Sequence, residues 1–166
     1  MCQHCDNAPC ETVCPVFASY HTPDGLNAQI YNRCVGTRYC ANNCPYKVRR
    51  FNFFDYKREA PGTEQLNPDV TVRSRGVMEK CTFCIQRIRE VQNRAELKKM
   101  PIKDGDIVPA CVQTCPAGAL SFGDFKKAEW QMTQLARDPR GYRLLDYMTN
   151  TRPGVVYLRK VTTDKG

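Results

Sequence analysis

Cysteine is the residue of this chain that can do chemistry, and its spacing says which chemistry. Eleven cysteines fall into groups of four positions, each closing on Cys-Pro. Cys2, Cys5, Cys10 and Cys14 make the first group, and Cys81, Cys84, Cys111 and Cys115 make the third. The second is Cys34, Cys40 and Cys44, with Thr37 where the spacing C-x2-C-x2-C-x3-C-P would put a sulfur. Thiolates are soft ligands that select iron-sulfur clusters, zinc or copper(I). A C-x2-C loop lets two sulfurs reach neighbouring irons of one cubane, while the N–H groups between them point at cluster sulfurs and tune the potential. A proline after the last cysteine has no N–H to lose and a fixed φ, so it turns the chain away from the cluster. The implied chemistry is electron storage and transfer through 4Fe-4S and 3Fe-4S clusters. No residue is assigned a bond-making catalytic role.

In the bacterial ferredoxin run the fourth cysteine serves the other cluster of a pair. Crossed ligation then predicts one 4Fe-4S cube on Cys2, Cys5, Cys10 and Cys44, and a second site on Cys14, Cys34 and Cys40. Thr37 occupies the missing corner of that second site, and a hydroxyl is a poor ligand for iron that prefers thiolate. A 3Fe-4S cluster is the expected product. A cube with water, hydroxide or the Thr37 oxygen on its fourth iron, or with a cysteine from another chain, is the alternative. In the third group, Cys81, Cys84 and Cys111 need a fourth sulfur from outside this chain, and Cys115 serves the cluster of a missing group. The expectation is a further four-cysteine group on a preceding segment or another subunit; a self-contained cube on Cys81, Cys84, Cys111 and Cys115 is the competing arrangement.

Other readings of the same residues are weaker. An odd cysteine count does not close into disulfides, and the repeated ligand spacings are unlike a secreted scaffold. Zinc sites use paired two-cysteine knuckles, which the C-x3-C-P endings and the substituted corner do not match. The formal charge of +8 invites nucleic acid as a partner. About three clusters at roughly −2 each would cancel most of it, so no nucleic-acid partner is required. A zinc-stabilised basic module, with Arg49, Arg50, Phe51, Phe53 and Phe54 against nucleic acid, is the distant alternative. Lys47, Arg49 and Arg50 either balance cluster charge, dock an acidic partner or form a solvated basic loop. His4 is expected beside a ligand or at the surface, and His21 in a loop.

The elements that must position these cysteines are short. Ten Gly and eleven Pro, many beside cysteines, predict irregular loops held by metal in place of a large packed core. The fold class is α+β, a loop-rich ferredoxin-like fold with a C-terminal helical extension and a short strand. Residues 1–56 are read as a two-cluster module with a small strand or hairpin near Leu26 to Tyr31, 57–80 as a connecting loop, 81–123 as half of a second module, and 124–166 as C-terminal helices and strand. Ile85, Ile88, Val91 and Leu97 predict an amphipathic helix from Ile85 to Met100, stopped by Pro101. A strand is expected at Ala119 to Phe122, a helix capped by Asp124 running to Ala136 with Trp130 as an anchor, a second helix near Tyr142 to Met148, and a strand from Val155 to Val161. No apolar run reaches the ~18 residues of a spanning helix and Met1-Cys2-Gln3-His4 is no signal peptide, so the chain itself is expected to be soluble, with membrane contact only through partners.

Glu79-Lys80-Cys81-Thr82-Phe83-Cys84, Cys115-Pro116-Ala117-Gly118-Ala119-Leu120 and Phe122-Gly123-Asp124 together resemble the four-cluster ferredoxin subunits of the complex iron-sulfur molybdoenzyme superfamily. The stretches from Tyr31 to Cys40 and from Asn43 to Asn52 are most similar to alternative complex III, and similar also to the quinone reductase complex of sulfate reducers. The resemblance implies a wire of clusters beside a quinone-binding integral membrane subunit, with the 3Fe-4S site toward the membrane. It further implies a molybdopterin-oxidoreductase-like subunit or segment and cytochrome c subunits or another acceptor as partners. The place implied is the periplasmic face of a bacterial inner membrane. Electron transfer from quinol is the expected role; a quinone reductase or a molybdoenzyme reductase of sulfur compounds is the alternative.

Overall fold

The computed structural model describes residues 1–55 and 58–162. Few of its residues lie in regular elements, which suits a sequence whose turns are fixed by Gly, Pro and ligand loops. Helices α1 (Pro9–Thr12), α2 (Tyr39–Asn43), α3 (Ile85–Lys98), α4 (Ala110–Gln113), α5 (Gln131–Ala136) and α6 (Asp146–Thr149) alternate with two-stranded antiparallel ladders. Strand β1 (Ser19–His21) pairs with β2 (Asn27–Gln29), β3 (Arg50–Phe51) with β4 (Met78–Glu79), and β5 (Gly141–Tyr142) with β6 (Tyr157–Leu158). This set of short helices and strands is compatible with a 4Fe-4S ferredoxin-like domain.

The chain divides into two compact units. One comprises residues 1–82 and 145–154, the other 83–144 and 155–166. The first unit has a core made largely of cysteine: Cys5, Cys10 and Cys40 pack with Ala8 and Met78, flanked by Cys34, Ala41, Tyr46 and Phe51. Segment 145–154 is stitched to the first cysteine loop by backbone bonds from Asp6 N–H to Arg152 O, Asn7 N–H to Thr151 O and Gly154 N–H to Gln3 O. The predicted hairpin is β1–β2, with Tyr20 opposite Ala28. His21 ends β1 instead of sitting in a loop; its Nδ1 lies 3.2 Å from Glu11 Oε1. The predicted connecting loop is irregular from 58 to 77 apart from one turn of 3-10 helix at Gly62–Gln65, and its end returns as β4. Tyr56 and Lys57, at the expected boundary, lie outside the described residues.

In the second unit α3 forms where its periodicity placed it, with Ile88 and Val91 buried. Leu97 does not join that stripe and is 85% exposed. It lies nine residues from Ile88, half a rotation around a helix that turns about 100° per residue. Four further expectations are corrected. Ala119 to Phe122 is not a strand, because its N–H groups turn toward Cys115 in place of a neighbouring strand. Asp124 caps a turn, accepting the Lys126 N–H at 2.9 Å, and the helix starts only at Gln131. Trp130 is the extended residue before α5, close over Gly123. Tyr142 belongs to β5, so the second helix is confined to α6, and the final strand shrinks to Tyr157–Leu158.

Candidate iron-sulfur sites

The same local unit is built three times. In each group the cysteine at the third position of the pattern rides on a short helix, Cys10 on α1, Cys40 on α2 and Cys111 on α4. The fourth follows it by four residues and opens a turn in which the residue three further on donates its N–H back to the cysteine carbonyl: Phe17 to Cys14, Lys47 to Cys44 and Gly118 to Cys115. Those three closing residues have φ of 52°, 52° and 58°. Proline presets the second position of such a turn, and the left-handed closing residue swings the following N–H groups toward the cysteine sulfur.

Those N–H groups form small concavities suited to an anion. Ala18 N–H lies 3.2 Å from Cys14 Sγ, and Ala119 N–H lies 3.3 Å from Cys115 Sγ. Burial pushes the Cys14 thiol up, yet the N–H groups of Val16, Ser19 and Ala18, with the Arg49 charge, outweigh it and hold the pKa below the usual thiol value. Cys115 is held down chiefly by Ala119 N–H, with Ala117, Leu120 and Gly118 assisting against a small burial effect. Thiolates, not thiols, ligate metal, so these turns prepare their cysteines for that role. Cys34 receives Met78 N–H at 3.4 Å, Cys2 receives His4 N–H at 3.4 Å, and Cys84 receives Ala110 N–H at 3.3 Å.

Cysteines of the first two groups come together in one core. Around Cys5 lie Cys2, Cys10 and Cys44; burial foremost, and then these neighbours, push its pKa up to about 12. Metal binding must displace that proton. Cys14, Cys34, Thr37 and Cys40 line a single cavity with Met78, Gly36 and Arg38. Helices α1 and α2 pack side by side, so Cys10 of one set stands next to Cys40 of the other. Among the described residues no three Cys, His, Asp or Glu side chains converge at the distance of one metal ion. In the second unit Cys84 abuts the start of the helix carrying Cys111, and Cys115 follows it; Cys81 belongs to the first unit.

Several residues escaped the sequence reading. Met78, 1% exposed, ends the long loop by packing among the cysteines and lining the cavity of Cys14, Cys34 and Cys40. The apolar pair Val77-Met78 just before Glu79-Lys80-Cys81 was the available signal. Gly36 is at φ +73°, and a Cβ there would meet Gly76 O at 2.5 Å; its neighbour Arg38 is left-handed and lies over the Phe51 ring at 5.2 Å. His4 is buried, with Nε2 3.1 Å from the Cys81 carbonyl oxygen, and burial foremost holds its pKa down to about 3. The basic trio splits: Lys47 and Arg50 are exposed, whereas Arg49 is 4% exposed and donates to Cys10 Sγ at 3.2 Å.

Comparison with known proteins agrees with this chemistry. A 4Fe-4S dicluster domain family matches residues 1–60, and a second 4Fe-4S dicluster domain family matches residues 33–119. The chain belongs to the 4Fe-4S dicluster family. It is 40% identical over 163 residues to the menaquinone reductase iron-sulfur cluster-binding subunit of Nitratidesulfovibrio vulgaris, covering 96% of this chain and 64% of that protein. The Hdr-like menaquinol oxidoreductase iron-sulfur subunit 1 of Archaeoglobus fulgidus is 39% identical, over 83% of this chain and 48% of its own length. A tetrathionate reductase subunit of Salmonella typhimurium is 30% identical, over 95% and 50%. This chain therefore spans about half to two thirds of those relatives. The family selects iron-sulfur over the zinc and nucleic-acid readings. No helix among the described residues is long and apolar enough to cross a membrane.

Proposed function

We propose that this chain is the electron-transfer part of a membrane-associated respiratory oxidoreductase, passing electrons between clusters and making no bonds itself. The observation that carries the reading is the match to two 4Fe-4S dicluster domain families, and the gathering of Cys14, Cys34, Thr37 and Cys40 around one cavity supports it. When bound, the clusters supply one-electron storage. Cys2, Cys5, Cys10 and Cys44 hold a 4Fe-4S cube. Cys14, Cys34 and Cys40 hold a 3Fe-4S cluster at whose vacant corner Thr37 stands. Cys81, Cys84 and Cys111 hold a further cube with a ligand from outside this chain, and Cys115 serves a fourth. The partners are a quinone-binding integral membrane subunit and a molybdopterin-oxidoreductase-like subunit or segment, in keeping with the quinone and tetrathionate reductase names of the relatives.

The finer assignment is an alternative complex III-like quinol oxidation, delivering electrons to cytochrome c at the periplasmic face. It rests on the Tyr31 to Cys40 and Asn43 to Asn52 stretches. The relatives named for menaquinone and tetrathionate reduction favour a second reading, with electrons running into quinone or a sulfur compound. Anaerobic mixing of the intact membrane complex with menaquinol separates the two: rapid cluster reduction that passes on to cytochrome c supports quinol oxidation, and its absence favours reductase direction. The cluster assignment is tested by iron and acid-labile sulfide analysis with paramagnetic resonance. A 3Fe signal in the oxidised wild type that disappears in Thr37→Cys is the expected result; iron-free protein, or a 3Fe signal indifferent to that substitution, refutes it.

A further inference from the structure

Arg49 is a cation in an unusual setting. Its guanidinium is buried in the first unit, with Nη1 donating to Gln29 Oε1 at 2.6 Å and Nη2 to Asn27 Oδ1 at 2.8 Å, to Ser19 Oγ and to Cys10 Sγ at 3.2 Å. Asn27, Ser19 and Gln29 sit on the β1–β2 hairpin, and all are neutral. No carboxylate is among its hydrogen-bond partners in the described residues. The sulfur that it reaches is that of Cys10, which packs in one core with Cys40, and its Nη1 acceptor Gln29 lines the cavity of Cys14, Cys34 and Cys40.

These sulfurs belong to different sets. Cys10 and Cys2 lie with Cys5 and Cys44, whereas Cys40 lines the cavity shared by Cys14, Cys34 and Thr37. An arginine is always charged and its planar fork can engage several acceptors at once. Buried charge is retained only where opposite charge and hydrogen bonds meet it, and clusters ligated as proposed through Cys10 and Cys40 would supply that charge from two sites.

We infer that Arg49 is a shared counter-ion and hydrogen-bond donor for both cluster sites, raising the midpoint potentials of the two together and holding Cys10 and Cys40 at a fixed separation between them. This rests on the cluster ligation proposed above. Each one-electron reduction adds a negative charge to a cluster beside the guanidinium, so the reduced state gains more from Arg49 than the oxidised state does. Net cluster charge and hydrogen bonds to sulfur are known controls of potential. Arg49 is thus a positioning and tuning residue, acting through the ligands. The sequence alone left it indistinguishable from Lys47 and Arg50.

The test is a redox titration of the cluster-loaded protein followed by paramagnetic resonance, comparing wild type with Arg49→Gln, Arg49→Lys and the exposed control Arg50→Gln. Arg49→Gln is expected to lower the reduced-to-oxidised ratio of both clusters at least tenfold at a fixed potential, which is about 59 mV for a one-electron couple. Arg49→Lys should shift both less, and Arg50→Gln less than about threefold. Loaded Arg49→Gln protein with either midpoint unmoved overturns the shared role. Where that variant does not load, pulsed resonance on wild type carrying 15N-arginine decides: nitrogen coupling to both clusters is expected, and its absence at either one overturns the inference. Wild type without iron and sulfide would instead refute the ligation on which the inference rests.

Discussion

Gly36 offers the sharpest structural prediction, because a second glycine of matching conformation serves as its control. Gly36 has φ +73° and Gly25 has φ +83°, so alanine at either must adopt the left-handed region. That costs about 1–2 kcal/mol. Around Gly25 nothing lies within 4 Å of the added Cβ, whereas at Gly36 the Cβ would meet Gly76 O at 2.5 Å and Phe51 Cε2 at 3.0 Å. The nearer obstacle is a backbone carbonyl, which cannot rotate aside, and overpacking of this kind adds about 1–3 kcal/mol. For a chain of this size each kcal/mol moves the melting temperature by about 2–4 °C. Gly36→Ala should therefore melt roughly 2–12 °C below Gly25→Ala in anaerobic, cluster-loaded protein scanned at one rate. The loop it distorts carries Thr37 and Arg38 at the cavity of Cys14, Cys34 and Cys40, so the signal of the cluster proposed there should weaken in Gly36→Ala and persist in Gly25→Ala. Equal melting of the two variants would refute the close approach to Gly76.

Met78→Ala removes a side chain that is 1% exposed and packed among cysteines; a loss of about 2–5 kcal/mol, read as a lower melting temperature with faster cluster loss, is expected. On α3, Ile88→Ala should destabilise by about 2–5 kcal/mol, while Leu97→Ala, on the opposite face, should stay within about 0.5 kcal/mol by the same melting assay. Asp138 is held down to about 2 by the Arg140 side chain, which donates Nε to Oδ1 and Nη2 to Oδ2, both at 2.9 Å. A depressed folded pKa means its stabilising effect is present above the ordinary value of 3.8 and is lost as pH falls toward about 2. Carboxyl NMR should show that low midpoint, and Arg140→Gln should raise it toward the ordinary range, with the N–H of residue 140 still donating to Oδ1.

The cysteine bookkeeping was legible because ligand spacing is local: a C-x3-C-P run fixes one helix turn, one proline turn and two sulfurs within a few residues. α3 was legible too, since Ile88 and Val91 announce a face by themselves. What the sequence hid is non-local. Met78 reads as the tail of a polar loop until β4 pairs with β3 and brings it under the cysteines. Arg49 reads as one of a solvated trio until the β1–β2 hairpin supplies Ser19, Asn27 and Gln29 around it. The expected strand at Ala119 to Phe122 failed for the opposite reason. Its composition suits a strand, but its N–H groups have a nearer acceptor in Cys115 Sγ.

The recurring Cys-Pro turn shows how the ligands shape the backbone as well as binding metal. Left-handed φ at Phe17 and Lys47 costs about 1–2 kcal/mol each for an L residue, and selection for stability alone would favour glycine, as at Gly118. The strain persists where N–H groups converge on a sulfur, as those of Val16, Ala18 and Ser19 do on Cys14. Such an arrangement stabilises a thiolate far more than a thiol. With the neutral thiol alone the turn would gain little for its strain; with an anionic ligand it gains several charge-assisted hydrogen bonds. The first unit, whose core is itself cysteine, gains these bonds when its sulfurs are anionic, so cluster loading is expected to stabilise the fold, read as a higher melting temperature in loaded than in cluster-free protein.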